Sequence, residues 1–168
     1  MKKAICLFLC CICLLLCFGC SEEAPDASEV PEGPLFYYPT AQLAYQPGSK
    51  AIDAEARVMP AQADLAQMLN IYFLGPETAQ LLSPFPSGLR IVKTTVVDKT
   101  VYITVSDHLT ELTGLALTMA CSCLTLTTLE LTGAENVVIN AQDALLDGQK
   151  SITMDKNNLL LTDVWQEE

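Results

Sequence analysis

An α+β fold follows from three features of the sequence. Short Val-, Ile- and Thr-rich runs are bounded by turn residues, which is the mark of strands. Two longer stretches repeat apolar residues at helical steps or exceed any ordinary strand in length. All of these lie in one segment long enough for a single modest core.

Residues 35–38 open the segment as an aromatic-rich strand, stopped by Pro39. Residues 43–45 continue it after a bend, and Gln46-Pro47-Gly48-Ser49 is turn chemistry. Ile52, Ala54, Ala56 and Val58 then alternate with Asp53, Glu55 and Arg57. That spacing predicts a half-buried strand with the charges facing water. Pro60 suits a helix start, and Leu65, Leu69, Tyr72 and Phe73 recur at three- and four-residue steps. An amphipathic helix is expected over 61–74, ended by Gly75-Pro76.

Residues 77–88 read as a loop punctuated by Pro84, Pro86 and Gly88. Two strands follow, 89–97 and 100–106, joined by Asp98-Lys99 as a tight hairpin. The stretch 112–132 carries hydroxyls (Thr118, Ser122, Thr125, Thr128, Thr132) at helical spacing, yet 124–132 also partly alternates. Its length favours a helix, buried on nearly all sides and closed by Gly133. Residues 137–139 are a short buried strand, Asp147-Gly148 a turn, and 149–154 a return strand. The tail carries Leu159, Leu160, Leu161 and Trp165, with 163–168 expected to fray.

The N-terminus is built differently. Lys2 and Lys3 precede an uncharged apolar run, 4–18, and Gly19-Cys20 is followed by Ser21-Glu22-Glu23. This is the layout of an export signal. A Cys directly after the small residue resembles a bacterial lipoprotein signal, cut after residue 19 with Cys20 acylated. A retained membrane anchor is the rival reading, but the run falls short of the roughly 20 residues a spanning helix needs. Residues 20–34 (CSEEAPDASEVPEGP) then form an acidic, disordered tether. The expected organisation is a signal peptide at 1–19, lipidated Cys20 and tether at 20–34, a domain at 35–162 and an acidic tail at 163–168.

Composition excludes several functions. Six of the eight cysteines belong to the signal or its cut site, leaving Cys121 and Cys123. One residue apart on a helix, these two point about 200° from each other, so they read as buried thiols and not as a disulfide or metal pair. Loss of Lys2 and Lys3 takes the formal net charge from −11 to −13, which disfavours nucleic acid as a partner. No metal or cofactor motif is present. Ser106-Asp107-His108 holds the letters of a hydrolase relay, but neighbours in an extended chain point to opposite faces, so no catalytic residue is assigned. Ser106 or Asp107 reads instead as a helix N-cap. Asp143 and Asp147 read as solvated turn acids.

The order of elements resembles the GerMN domain of sporulation and germination proteins and related envelope lipoproteins. The residues that carry this are Glu55-Ala56-Arg57-Val58, then Leu74-Gly75-Pro76 with Leu81, Pro86, Ser87 and Gly88. Residues 96–106 (VVDKTVYITVS), the helix within 115–132 and Asp147-Gly148 complete the set. The resemblance implies a mixed β-sheet backed by two helices, similar to the ring-building motif of proteins that assemble between membranes. It implies a lipid-anchored, non-catalytic protein on the outer side of the cell membrane. Other envelope proteins, or further copies of the chain, would be its partners. The candidate interaction surface is the loop bearing Ser83, Phe85, Ser87 and Leu89. Phe85 either meets a partner or folds under as a lid on the core. A ligand-binding lipoprotein is the alternative function and an envelope hydrolase a third; the first needs a deep pocket, the second a cluster of acid, base or nucleophile.

Overall fold

In a computed structural model, residues 33–41 and 50–159 are described, and all fall in one compact unit, Pro31–Glu168. The expected signal, the tether through residue 32, the strand continuation at 43–45 with its turn at 46–49, and the tail beyond 159 lie outside the described residues. Strands β1 (Leu35–Pro39) and β2 (Ile52–Ala56) pair antiparallel as a separate two-stranded sheet. Helix α1 is Leu65–Tyr72. Strands β3 (Ile91–Val97) and β4 (Thr100–Val105) form the expected hairpin, with Asp98 at φ 52° in its turn. A 3-10 turn at Asp107–Glu111 leads to helix α2, Gly114–Thr132, then β5 (Asn136–Ala141) and β6 (Ile152–Asp155).

The second sheet has the order β3-β4-β5-β6. It is mixed because β4 and β5 run parallel. Parallel neighbours need a crossover, and α2 supplies it. The helix is long and apolar enough to cross a membrane, yet 56% of that stretch is buried inside the domain. Its Thr127 Oγ1 accepts the Tyr37 N–H of β1 at 3.0 Å, while Ser122 meets Met154 Sδ of β6. α2 therefore joins the two sheets, which explains why hydroxyls as well as apolar side chains are buried along it. Gly133 closes it at φ 67°, the left-handed conformation that suits glycine at a helix end. Val101, Ile103 and Val105 of β4 and Val137 and Ile139 of β5 share the core face of the larger sheet.

Several boundaries differ from the sequence reading, and two of them have a clear local cause. The first helix begins at Leu65, because Asp64 caps it: its carboxylate accepts the Gln67 N–H at 2.8 Å and Gln67 returns an acceptor to Asp64 N–H. This reciprocal box puts the cap four residues after Pro60 and the first helical residue five after it. The return strand shifts to Ile152–Asp155 because Leu146 and Gln149 are held in a turn by mutual backbone hydrogen bonds.

The larger correction concerns β2. Alternation placed Val58 inside and Glu55 and Arg57 in water. Val58 is 89% exposed, while Glu55 and Arg57 are buried. They pair with each other at 2.6 Å with almost no side-chain exposure. The physical reason is supplied from elsewhere in the chain: backbone donors and an acceptor at 75–78 complete both charges.

Candidate functional site

The buried ion pair organises the loop that follows α1. The Glu55 carboxylate accepts the Arg57 Nε–H at 2.7 Å, the Glu77 N–H at 3.0 Å and the Thr78 N–H at 2.9 Å. Arg57 also donates to the Gly75 carbonyl. Its guanidinium lies 5.9 Å from the Phe36 ring and 5.6 Å from the Tyr38 ring, within cation–π range. Burial pushes the Glu55 pKa up, but the hydrogen bonds from Glu77, Thr78 and Arg57 outweigh it and hold the carboxyl below its ordinary 4.5. Glu55 thus stays charged and grips residues 75–78. Further on, Leu82 N–H donates to Pro39 O and Ala41 N–H to Gln80 O, so the loop is tied along the free side of β1.

An aromatic cluster lies under this clamp. Tyr72 contacts Phe36, Tyr38 and Phe73, with centroids 4.8–5.9 Å apart. Phe85 meets Tyr72 edge-on at 4.9 Å and Phe73 at 4.8 Å. Of the four residues expected to form the interaction surface, Phe85 is thus half-buried on the cluster and Leu89 lies in the core at 7% exposure. Ser83 and Ser87 face solvent. The structure does not bring the four side chains onto one exposed patch. The cluster is itself polar at its rim: Tyr38 Oη donates to the Tyr72 carbonyl at 3.0 Å and Tyr72 Oη to the Tyr37 carbonyl. Burial raises both phenol pKa values far above the ordinary 10.

The larger sheet has a bare face. Side chains alternate, so the residues opposite the core face line up across strands. Register places Thr95, Tyr102, Val138 and Thr153 in one row spanning β3 to β6. Tyr102 is 44% exposed at its middle. Lys93, Thr104 and Asn140 form the next row, the last two joined by a side-chain hydrogen bond. The buried leucines of both helices belong to the core cluster on the other side, with Val101, Ile103, Val137 and Ile139. At the sheet's β3 edge, Val92, Val96 and Val97 are also exposed.

Ser106, Asp107 and His108 come closer together than an extended chain allows. β4 stops at Val105 and the chain turns at once into the 3-10 segment. Ser106 Oγ lies 3.2 Å from His108 Nδ1, and Asp107 Oδ1 lies 3.4 Å from the same nitrogen. A hydrolase relay needs the nucleophile and the acid on opposite ring nitrogens. Here Nε2 packs instead against the Cα of Gly88, where an added Cβ would sit 3.1 Å away. Ser106 does occupy the N-cap position, but its hydroxyl makes no cap bond; it accepts the Arg90 N–H at 3.3 Å. The trio fastens the loop end to β4.

Cys121 and Cys123 are free and buried, and burial pushes each thiol up to about 12, so neither is a ready nucleophile. Among the described residues no cluster of three metal-ligating side chains occurs. A shallow, open groove is lined by Gly133, Glu135, Asn136, Asp155 and Asn157. It lacks the enclosed apolar walls of a small-molecule site.

These features define a small α+β domain on a mixed sheet, with a charged clamp inside and one sheet face uncovered. The chain belongs to the Germane family, described as sporulation and spore germination, which it matches over residues 35–147. That span runs from β1 to the turn at Asp147. Membership ties the chain to sporulation and spore germination. No curated protein and no solved structure matches it.

Sequence reasoning missed the Glu55–Arg57 clamp as a site. Opposite charges two apart on one strand share a face, and they stand in the motif that carried the family resemblance. That pairing was the available signal.

Proposed function

We propose that this chain is a lipid-anchored, non-catalytic interaction module of the cell envelope, serving sporulation or spore germination. Acylated Cys20 holds it on the outer side of the cell membrane, and the domain engages another envelope protein. The observation that carries the reading is the row Thr95, Tyr102, Val138 and Thr153, uncharged across all four strands, with Val138 half-buried and the other three exposed. The exposed β3 edge beside it suits pairing with a partner strand. Family membership supports the process. The inert thiols and the displaced Ser106–His108 geometry support a role without covalent chemistry.

The test replaces the gene with a Tyr102→Asp form in its own host. Spore formation and germination should fall while immunoblots show unchanged protein. Normal sporulation and germination in that strain defeat the surface assignment. Fatty-acid labelling should mark the wild type and vanish in Cys20→Ala; an unlabelled wild type removes the anchor.

A further inference from the structure

Nine large apolar side chains are exposed among the described residues, and three of them flank one connected set of contacts. Val58 is 89% exposed and Leu74 85%, the two highest values of the nine; Leu82 is 52%. Each is the chain neighbour of a residue in one connected set of contacts. Arg57 donates to the Gly75 carbonyl. Gly75 in turn packs on Ser83, whose Cβ would lie 3.4 Å from a Cβ placed on that glycine. The Glu55 clamp on Glu77 and Thr78 holds the region rigid. Exposed aliphatic side chains on a fixed backbone bind at little entropic cost.

The N-terminal chain enters the domain beside Arg57, the neighbour of Val58 in the chain. Gly33 lies against Arg57 so closely that a Cβ would fall 2.4 Å from the Arg57 carbonyl oxygen. Arg57 N–H donates to the Pro34 carbonyl at 3.2 Å. Gly33 lies thirteen positions beyond Cys20. Fully extended, that stretch spans at most about 45 Å. As a flexible coil it averages about 20 Å. The apolar group therefore sits where the tether would attach the domain to its own membrane.

We propose that Val58, Leu74 and Leu82 dock the domain onto the bilayer that holds its lipid anchor. This rests on the reading of Cys20 as acylated. The contact is apolar insertion at the interface, because the exposed group offers no cation and the tether is acidic. Three aliphatic side chains do not recruit a free protein to a membrane. A tethered domain meets the surface at an effective concentration in the millimolar range, where weak insertion counts.

The experiment uses the full-length acylated protein in phosphatidylcholine vesicles whose acyl chains carry bromine. Trp165 is the only tryptophan and is first changed to Phe. A reporter is then placed by Leu74→Trp, or by Tyr102→Trp on the bare sheet face. Bromolipid should quench the first reporter and leave the second unaffected. Adding Leu82→Glu should abolish the quenching with an unchanged circular dichroism spectrum. Val58→Trp repeats the measurement should Leu74→Trp not fold. Equal quenching at the two positions, with an acyl chain on Cys20 confirmed by mass spectrometry, overturns docking alone. A missing acyl chain overturns the anchor and the docking together. Protection of the Leu74→Trp reporter from iodide without bromolipid quenching means protein covers the group, and that also overturns the proposal.

Discussion

Arg57→Met tests the central feature of the fold. Methionine keeps an apolar stem of similar reach against Phe36 and Tyr38 but removes the charge. Glu55 then loses its 2.7 Å bond from Nε and keeps the N–H groups of Glu77 and Thr78. The Gly75 carbonyl loses its donor. Breaking one side of a buried ion pair typically costs about 3–5 kcal/mol. The two remaining backbone donors place this case near the lower end, about 3 kcal/mol. Against a typical domain stability of about 5–15 kcal/mol, that is a large share. Urea titration at pH 7, followed by circular dichroism, measures it through the shift in midpoint at constant slope. The double variant Glu55→Gln/Arg57→Met should recover part of the loss, because no uncompensated charge stays inside. A single variant within about 1 kcal/mol of the wild type, or a double variant that simply adds two losses, would refute the clamp as an electrostatic unit.

The same clamp sets a pH response. Glu55 has a folded pKa below its ordinary 4.5, so the unfolded chain binds its proton first as pH falls. Its contribution is complete above about 4.5 and is lost as pH drops through the folded value, and Glu55→Gln should flatten that part of a stability-versus-pH curve. Thr125 and Thr127 should respond oppositely to valine. Thr125 Oγ1 is buried without a hydrogen-bond partner, so Thr125→Val should stabilise by about 1 kcal/mol. Thr127 Oγ1 accepts the Tyr37 N–H, so Thr127→Val should cost about 1–2 kcal/mol in the same titration. Phe85→Asp should lower the midpoint strongly, because the ring packs on Tyr72 and Phe73; an unchanged midpoint would return Phe85 to the partner surface.

Elements decided by their own residues were legible in the sequence. Asp98-Lys99 between two β-branched runs gave the hairpin, and length alone decided that 112–132 is helical. The chain's second helix ended where Gly133 stands, since few other residues accept its backbone angles. What stayed hidden depended on distant partners. Ile52 and Asp53 of β2 face as the alternation predicts, but the pattern reverses from Glu55 on, because a charge is scored as outward unless its partners are known, and the backbone donors of Glu55 lie 22 and 23 residues downstream. Ser106 and His108 meet only because β4 stops one residue earlier than its composition suggests. The docking of β1 on α2 likewise rests on the Thr127 hydroxyl, ninety residues from Tyr37. Apolar patterning measures what a residue gains by leaving water. It says nothing of what a polar group gains on arrival, so polar groups with remote partners are where such a reading inverts. In this domain those groups hold the loop at 75–89 to the ends of β2 and β4, and with it Leu74 and Leu82 in the position from which, on the docking proposal, they would reach a membrane.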